Sequence, residues 1–246
     1  MSFIGFFVAL ICILGANLIE GGHPSALLNG PAFLIVVGGT IGAAMVQFPF
    51  NVMWRSLKRF RWLVIPLRMD FFSQAEMLEK LASVARKEGF LALDAMIEEI
   101  PDPFTAKGVQ MLVDGVDKDA LYDLLEAEIE KEQYDIEQTA KLYESMGGYS
   151  PTMGILGAVL GLIHAMGLLD RPDELGQGIA VAFVATIYGV AFANVLLLPF
   201  ANRYKAFAHD LYNFKIMSVD ALYSIAEGHS PHQIRQRLDV YTEELQ

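Results

Sequence analysis

The sequence predicts an all-α membrane protein with four transmembrane helices, arranged as two hairpins, and a helical cytoplasmic domain. Four apolar stretches are each about long enough to cross the roughly 30 Å hydrocarbon layer of a bilayer as a helix. No stretch of useful length alternates between apolar and polar residues as a half-buried strand would. Hydrophobic residues make up 54% of the chain and charged residues only 19%, whereas about 25% of residues are charged in soluble domains.

The first two apolar stretches form the first predicted hairpin. Residues 3–19 are apolar apart from Asn17. They lack the basic start and the small-residue cleavage site of a secretory signal, so we interpret them as a retained transmembrane helix. Residues 31–50 begin with a proline, which suits the first position of a helix, and Pro49 suits a helix exit or kink. The loop between them is too short to hold a domain.

The last two apolar stretches, residues 151–169 and 178–200, form the second predicted hairpin and contain no Asp, Glu, Lys or Arg. Small residues recur in them at helical spacing, at Gly154, Gly157, Ala158 and Gly161 and at Ala185, Gly189 and Ala193. Because lipid gives no hydrophobic reward for joining helices, small residues that let backbones touch are the usual basis of tight packing in membranes. The pattern favours a helix-packing seam, and the alternative is the wall of an ion path.

The distribution of basic residues predicts the orientation. They follow the second and fourth apolar stretches, as Arg55, Lys58, Arg59, Arg61 and Arg68 and as Arg203, Lys205 and Lys215, whereas the two short loops contain only Arg171. Positive residues mark the cytoplasmic side, so both termini are predicted to be cytoplasmic. The predicted organisation is residues 1–50 (two transmembrane helices), 51–150 (cytoplasmic helical domain), 151–200 (two transmembrane helices) and 201–246 (cytoplasmic C-terminal helices).

The central segment is predicted to be a series of helices. A helix over residues 71–88 is expected to open with a capping box formed by Ser73 and Glu76 and to stop at Gly89. Further helices are predicted at residues 90–99, 104–113 and 117–146. The glycine pair at positions 147 and 148 is expected to break or bend the last of these before the third membrane helix.

The segment after the fourth apolar stretch is also predicted to be helical. An apolar stripe after Pro199 predicts that the fourth helix continues into the cytoplasm until Gly228. Ser230 and Gln233 form a second expected capping box, which opens a final helix that reaches Leu245.

Composition and motifs argue against several classes of function. The net charge of −11 provides no basic surface for a nucleic acid. The single Cys12 cannot form an internal disulfide, and the five histidines show no ligand-like spacing, so no metal site is predicted. No glycine-rich loop follows a strand, and no serine lies on a sharp strand-to-helix turn. We therefore expect neither an enzyme nor a bound cofactor.

Four stretches of the sequence form a recognisable set: GGHP at 21–24, LIVVGGTIGA at 34–43, PTMGILGAVLG at 151–161 and GIAVAFVATIYG at 178–189. They resemble the flagellar stator proteins MotA, PomA and MotC of the MotA/TolQ/ExbB superfamily. They occur in the family's order and at its spacing. The resemblance implies a subunit of an ion-driven torque generator in the bacterial inner membrane, in which a homopentamer surrounds two copies of a single-span, peptidoglycan-anchored partner of the MotB type. The rotor protein FliG is the implied cytoplasmic partner.

The resemblance also implies roles for residues of the membrane helices. Ala158 and Thr186 match positions that line the family's ion path, in which an Asp of the partner carries the ion. The simpler interpretation is an alanine in the packing seam and a threonine bonded to its own helix backbone. Pro151 and Pro199 match prolines whose bends couple the ion path to the cytoplasmic helices, and the simpler interpretation is that they start or end a span.

A third set of residues matches the stretch with which the family contacts the rotor. Arg86 is at the family's arginine position, with Lys87 beside it. Asp94 replaces the more usual glutamate, which leaves the acidic side of the contact weaker or shifted to Glu98 or Glu99. The simpler interpretation is that Arg86 and Lys87 stabilise a helix C-terminus and that the two glutamates form a solvated face.

The coupling ion is predicted to be the proton. Sodium-type members of the family carry a threonine at the position of Ala158 as well as at that of Thr186. Sodium needs oxygen ligands in place of its water, and an alanine methyl provides none. His164 adds a little to the proton prediction as a potential relay, although a packing histidine is the simpler interpretation. Two alternatives remain open from the residues: an energy-transducing subunit of the ExbB or TolQ type, and a membrane scaffold that conducts nothing.

Overall fold

A computed structural model describes residues 2–65 and 69–243. Within these ranges the backbone is helical apart from short connections, and no strand occurs. The predicted all-α fold is therefore confirmed. Arg68, which belongs to the predicted basic cluster, and Leu245, the predicted end of the last helix, lie outside the described residues.

Contacts within the chain define two compact units. The membrane unit comprises Met1–Pro66 and Glu137–Lys205, and the globular unit comprises Leu67–Ile136 and Ala206–Gln246. Each unit is thus built from two separate parts of the sequence. The membrane unit contains all four apolar stretches that the sequence analysis assigned to the bilayer.

Two apolar helices and a polar one begin the membrane unit. They are α1 (Ser2–Ile19), α2 (Gly30–Gln47, with a π-helical stretch at Leu34–Gly38) and α3 (Phe50–Arg59), which a single helical turn at Arg61–Val64 follows. The Asn29 side chain caps α2 by accepting a hydrogen bond from the Ala32 N–H (3.0 Å). The helix ends where Phe48, which precedes Pro49, adopts an extended conformation. The predicted helix exit at Pro49 is confirmed.

Two long helices, α6 and α7, contribute to both units. α6 covers Lys118–Met166, and α7 covers Pro172–Ala191, a π-helical stretch at Phe192–Leu197, and Leu198–Ala226. The predicted break at Gly147 and Gly148 is wrong, because α6 passes through both residues without interruption. Gly147 allows a close approach instead: a Cβ atom there would lie 2.6 Å from Cδ2 of Leu198.

The π-helical stretch of α7 has a local cause in Pro199. Proline has no N–H to donate, and its ring crowds the carbonyl four residues earlier. The Leu198 N–H donates to the carbonyl of Ala193, five residues back, so the helix is wider there than an α-helix. The predicted continuation of the fourth helix beyond Pro199 is confirmed, as is its end before Gly228, whose φ is +78°.

Among the described residues, three apolar helices are long enough to cross a membrane by length and composition. They are α2 and the helices that contain Lys118–Met166 and Leu175–Ala226. The apolar part of α1, Ile4–Ile19, is shorter. The count of four transmembrane helices therefore stays a prediction, and α1 is the helix on which it depends.

The globular unit adds four shorter helical segments to the ends of α6 and α7. They are α4 (Phe71–Glu88), a 3₁₀ helix (Phe90–Glu99), α5 (Pro103–Val113) and α8 (Pro231–Glu243). The bounds predicted for α4 and for the 3₁₀ segment are confirmed, and Gly89 ends α4 with φ +84°. The capping box of Ser73 and Glu76 is wrong: Asp70 is the cap and accepts from the Ser73 N–H (3.1 Å), so Ser73 lies inside the helix.

The second predicted capping box is confirmed at the start of α8. The Ser230 N–H donates to Oε1 of Gln233 (2.9 Å), and the Gln233 N–H donates to Oγ of Ser230 (3.3 Å). Each side chain thus satisfies a backbone N–H that the helix leaves unpaired.

The globular unit has a hydrophobic core that joins all of its helices. Its most deeply buried side chains are Leu78, Leu81, Leu93, Leu121, Leu125, Met217, Leu222 and Ile234. One polar group crosses this core: Nε2 of Gln74 donates to Oγ1 of Thr105 (2.6 Å) and to Oγ of Ser218 (2.9 Å). These bonds fix α4 to α5 and α7, because an unpaired amide at this depth would be costly.

Candidate functional sites: a glycine seam and a charged surface

The membrane parts of α6 and α7 touch backbone to backbone along their glycines. A Cβ on Gly154 would lie 2.9 Å from the Ala185 carbonyl oxygen, and one on Gly161 would lie 2.8 Å from the Ala182 nitrogen. These distances leave no room for a side chain, so the predicted packing seam is confirmed. Its further close contacts involve Gly157, Ala165, Gly178 and Gly189.

One end of this seam is held by a buried hydrogen bond. Oγ of Ser150 donates to the carbonyl of Gly189 (3.0 Å), and a Cβ on Gly189 would lie only 2.7 Å from the Ser150 carbonyl oxygen. The next residue, Pro151, lies inside the continuous α6, so it does not start a helix. Pro199 lies just after the π-helical stretch of α7. Both prolines therefore lie within helices of the membrane unit, where a proline removes a helix hydrogen bond, and their coupling role stays a prediction.

Ala158 and Thr186 lie on the two helices that form the seam. The Cα of Thr186 is 3.4 Å from the position that a Cβ on Gly154 would occupy, one helical turn before Ala158. Ala158 is half-buried and Thr186 is exposed. The Thr186 hydroxyl donates to the carbonyl of Ala182 (3.2 Å), as the simpler interpretation expects. Its oxygen keeps lone pairs that can accept a hydrogen bond or contact a cation.

A tyrosine that the sequence analysis did not single out connects α7 to the first hairpin. The hydroxyl of Tyr188 accepts a hydrogen bond from the Asn29 N–H (3.2 Å) and donates to the carbonyl of Leu27. Its ring meets that of Phe33 edge to face, with centroids 6.2 Å apart. A phenol in an apolar stretch needs a polar partner, and this rule could have marked Tyr188 in the sequence. The contact holds the N-terminal end of α2 next to the part of α7 that carries Thr186.

His164 lies at the end of α6 in a groove of about 520 Å³. It is exposed, and Asn29 and Gln177 line the same groove. The structure therefore does not place His164 as a buried packing residue. Among the described residues, no group of three or more His, Cys, Asp and Glu side chains could hold a metal ion.

The five residues predicted to contact the rotor are all exposed on the globular unit: Arg86, Lys87, Asp94, Glu98 and Glu99. The first two lie in the last turn of α4. The 3₁₀ helix has about three residues per turn; it buries Leu93 and Met96 and turns Asp94 and Glu98 outward.

These charged residues differ in their partners. Glu99 pairs with Nζ of Lys80 at 3.4 Å. Arg86, Lys87, Asp94 and Glu98 form no ion pair with any residue that the structure describes. Leu91, between the basic and acidic residues in sequence, is 78% exposed. Exposed charges without ion pairs and an exposed leucine in the same stretch of sequence are suited to a protein partner.

Two family models together match most of the chain. Residues 96–215 match the model of the MotA/TolQ/ExbB proton channel family, and residues 3–89 match that of the motility protein A N-terminal region. Motility protein A of Bacillus subtilis is 35% identical over 98% of this chain and 89% of the relative.

Two solved structures are similar over almost their whole length. The flagellar MotAB stator complex from Bacillus subtilis matches with a TM-score of 0.89 at 35% identity, over 98% of this chain and 95% of that chain. The C. jejuni MotAB structure matches with a TM-score of 0.92 at 30% identity, over 98% and 94%. The chain therefore belongs to the motility protein A family, the membrane-embedded A-subunits of flagellar motor stators.

Proposed function

We propose that this A-subunit conducts protons together with a single-span partner and converts their flow into torque on the flagellar rotor. One observation carries the proposal. The two helices that form the glycine seam contain no acidic or basic residue over residues 151–169 and 178–200, apart from the imidazole of His164. A proton or cation path through a membrane usually contains an ionisable group at depth. A second chain must supply that group next to the seam.

The similar structures support the kind of partner. The B. subtilis and C. jejuni relatives are chains of MotAB complexes. By this likeness, the present chain assembles with a MotB-type subunit anchored to peptidoglycan and with further copies of itself, as a homopentamer. The exposed Thr186 and the half-buried Ala158 then face the carboxylate of the partner helix, and Pro151 and Pro199 transmit its protonation to the cytoplasmic helices.

The same proposal places the chain in the bacterial inner membrane with both termini in the cytoplasm. Exposed Lys58 and Arg61 after α2 support this orientation, because basic residues are retained on the cytoplasmic side. Residues 51–150 then face the rotor. Arg86 and Lys87 contact acidic groups of FliG, while Asp94 and Glu98 contact its basic groups. Glu99 contributes less, because Lys80 already neutralises it.

The number of oxygen atoms that the seam offers to an ion supports the choice of coupling ion. Thr186 offers one hydroxyl, which already donates to Ala182, and Ala158 offers none. A sodium ion requires several oxygen ligands in place of its water, whereas a proton requires only a carboxylate and a transfer route. Proton coupling therefore fits the site better.

Motility of a stator-deleted strain complemented with this chain and its partner tests the ion. Swimming should continue when sodium is replaced by potassium or choline and should stop when a protonophore is added. A swimming speed that follows external sodium at fixed pH would show instead that Thr186 and the partner together hold sodium.

A further inference from the structure

We propose that the membrane unit binds one phospholipid with an anionic headgroup, in a groove between α1, the turn after α3 and α7. This site goes beyond the proposed function, and it depends neither on the coupling ion nor on the rotor contact.

The groove combines apolar walls with one charged end. Its volume is about 440 Å³, and its lining includes Phe6, Ala9, Leu63, Val195, Pro199 and Arg203. Arg203 is the last of the α7 residues that line it, so its guanidinium marks one end of the α7 wall. Of the described lining residues, none is acidic. The groove is thus electrostatically suited to an anion at that end.

Local sequence explains why a groove exists at this place. Pro199 and the π-helical stretch before it replace the regular surface of α7. On the α1 side, Gly5 contributes no side chain, and a Cβ there would meet no atom within 4 Å. The space is therefore left by a helix irregularity on one wall and by the missing side chain of Gly5 on the other.

The position of the groove indicates a lipid headgroup at the Arg203 end. The chain contains two tryptophans, Trp54 on α3 and Trp62 in the following turn, the same turn that lines the groove with Phe60 and Leu63. Tryptophan is enriched where a membrane protein meets the headgroups. The Phe60 and Phe200 rings, 5.6 Å apart and edge to face, hold this turn against α7.

Arg203 then determines the headgroup preference of the site. An acyl chain gains no hydrophobic free energy by leaving other acyl chains for an apolar groove, so preference must come from the headgroup. A guanidinium has five N–H donors, so Arg203 can keep its contacts within the protein and still bind a phosphate. The occupant that satisfies both the apolar walls and the charged end is a phospholipid, and the positive end favours an anionic one.

The test measures lipids retained by the full-length chain, assembled with its partner and reconstituted in vesicles of equal phosphatidylglycerol and phosphatidylcholine. Native mass spectrometry should show phosphatidylglycerol retained over phosphatidylcholine by about fivefold, the effect of one basic residue near a membrane surface. Arg203→Gln should bring this ratio close to one, whereas Arg203→Lys should keep most of it. Arg61→Gln is the matched control, because Arg61 is exposed in the same turn but does not line the groove.

A second pair of variants tests the groove itself. Gly5→Leu fills it and should reduce the retained lipid, whereas Gly15→Leu adds the same bulk to α1 outside the groove, where a Cβ also meets no atom within 4 Å. Equal loss in Arg61→Gln and Arg203→Gln, or no preference in the wild type, would overturn the proposal. Disulfide cross-linking between copies through Ala9→Cys, in a Cys12→Ala background, would overturn it too, because another chain would then occupy the groove.

Discussion

At the scale of single residues, the seam between α6 and α7 depends on glycines that have no room for a side chain. The two helices approach until main-chain atoms of one touch main-chain atoms of the other, and neither can move aside as a flexible side chain would. The effect of adding a side chain differs from one glycine to the next. α6 also contains Gly148, where a Cβ would meet nothing within 4 Å.

Gly189→Ala should therefore destabilise the protein, by about 1–3 kcal/mol, as overpacking typically does. The added methyl would lie 2.7 Å from the Ser150 carbonyl oxygen and 3.0 Å from the Gly154 Cα. Gly148→Ala is the matched control and should be neutral or stabilising by up to about 1 kcal/mol, because alanine loses less backbone entropy in a helix. Thermal unfolding of the purified variants measures both, and equal melting temperatures would contradict the seam.

A second residue-scale prediction concerns the ion pair of Lys118 and Glu227 in the globular unit. Nζ of Lys118 donates to Oε1 of Glu227 at 2.7 Å. This hydrogen bond holds the pKa of the Glu227 carboxyl below its ordinary value and the pKa of Lys118 above its ordinary value. A lowered carboxyl pKa stabilises the fold above the pKa of the unfolded chain, and this contribution is lost as the pH falls through the folded-state pKa. The raised lysine pKa gives a contribution that is lost only as the pH rises through it.

Glu227→Gln should thus lower the melting temperature at about pH 8 and have a smaller effect at about pH 3, below the ordinary pKa of a glutamate carboxyl, because the contribution of the lowered pKa decreases there. Glu130→Gln is the control, since Glu130 is exposed and forms no ion pair with a described residue. The same melting-temperature difference at both pH values would contradict the prediction.

At the scale of elements, the sequence predicts helices best where their ends carry local signals. The bounds of α4 follow from an apolar period that stops at Gly89, and the start of α8 follows from Ser230 and Gln233. Asp70 and Ser73 show the limit of such signals, because both are good caps and only the packed structure decides between them. The continuity of α6 could not be predicted. A glycine is required at position 147 because the side chain of Leu198, which is distant in sequence, packs against it.

The candidate sites also differ in whether they depend on local sequence patterns or on contacts between residues distant in sequence. The glycine spacing predicts the α6–α7 seam, because it is a local pattern within each helix. The hydrogen bonds of Tyr188 join residues 159 and 161 positions apart, and no local pattern carries that information. The roles of Ala158, Thr186 and the rotor-facing charges came from resemblance to the family, and they stay predictions.

The element-scale prediction concerns the surface formed by the end of α4 and the 3₁₀ helix. If Arg86 contacts the rotor, Arg86→Glu should reduce swimming while membrane level and partner binding stay unchanged. The effect should be modest alone, because Lys87 is adjacent and single exposed charge pairs contribute little. Reversal of both Arg86 and Lys87 should abolish most swimming. Lys131→Glu, at another exposed lysine without a described ion pair, should have no effect, and normal motility of the double variant would refute the contact.

At the scale of the whole molecule, the distribution of charged residues indicates which groups this chain provides and which a partner must provide. Of its 47 charged residues, 29 are acidic and 18 basic, yet none lies within residues 151–169 or 178–200. The chain provides close-packed walls, exposed hydroxyl and imidazole groups, and a charged surface outside the membrane. It does not provide a carboxylate at the depth where an ion must be held.

The chain reconstituted without a partner should therefore not conduct ions above background. Among its polar groups, Thr186 is already bonded to Ala182 and cannot take up and release a proton. His164 lies at the end of α6 and reaches only the groove beside Asn29 and Gln177. Moving a charge through the remaining apolar layer without an ionisable carrier is too costly to sustain a flux.

Flux into liposomes under a pH or sodium gradient measures this directly. Liposomes that contain the chain together with its single-span partner provide the positive control, and the same assembly with the partner's membrane Asp changed to Asn should fall back to the background rate. Selective flux through the chain alone, especially if His164→Phe removes it, would show that an imidazole at the C-terminal end of α6 is sufficient, and the carboxylate would no longer be required from a second chain.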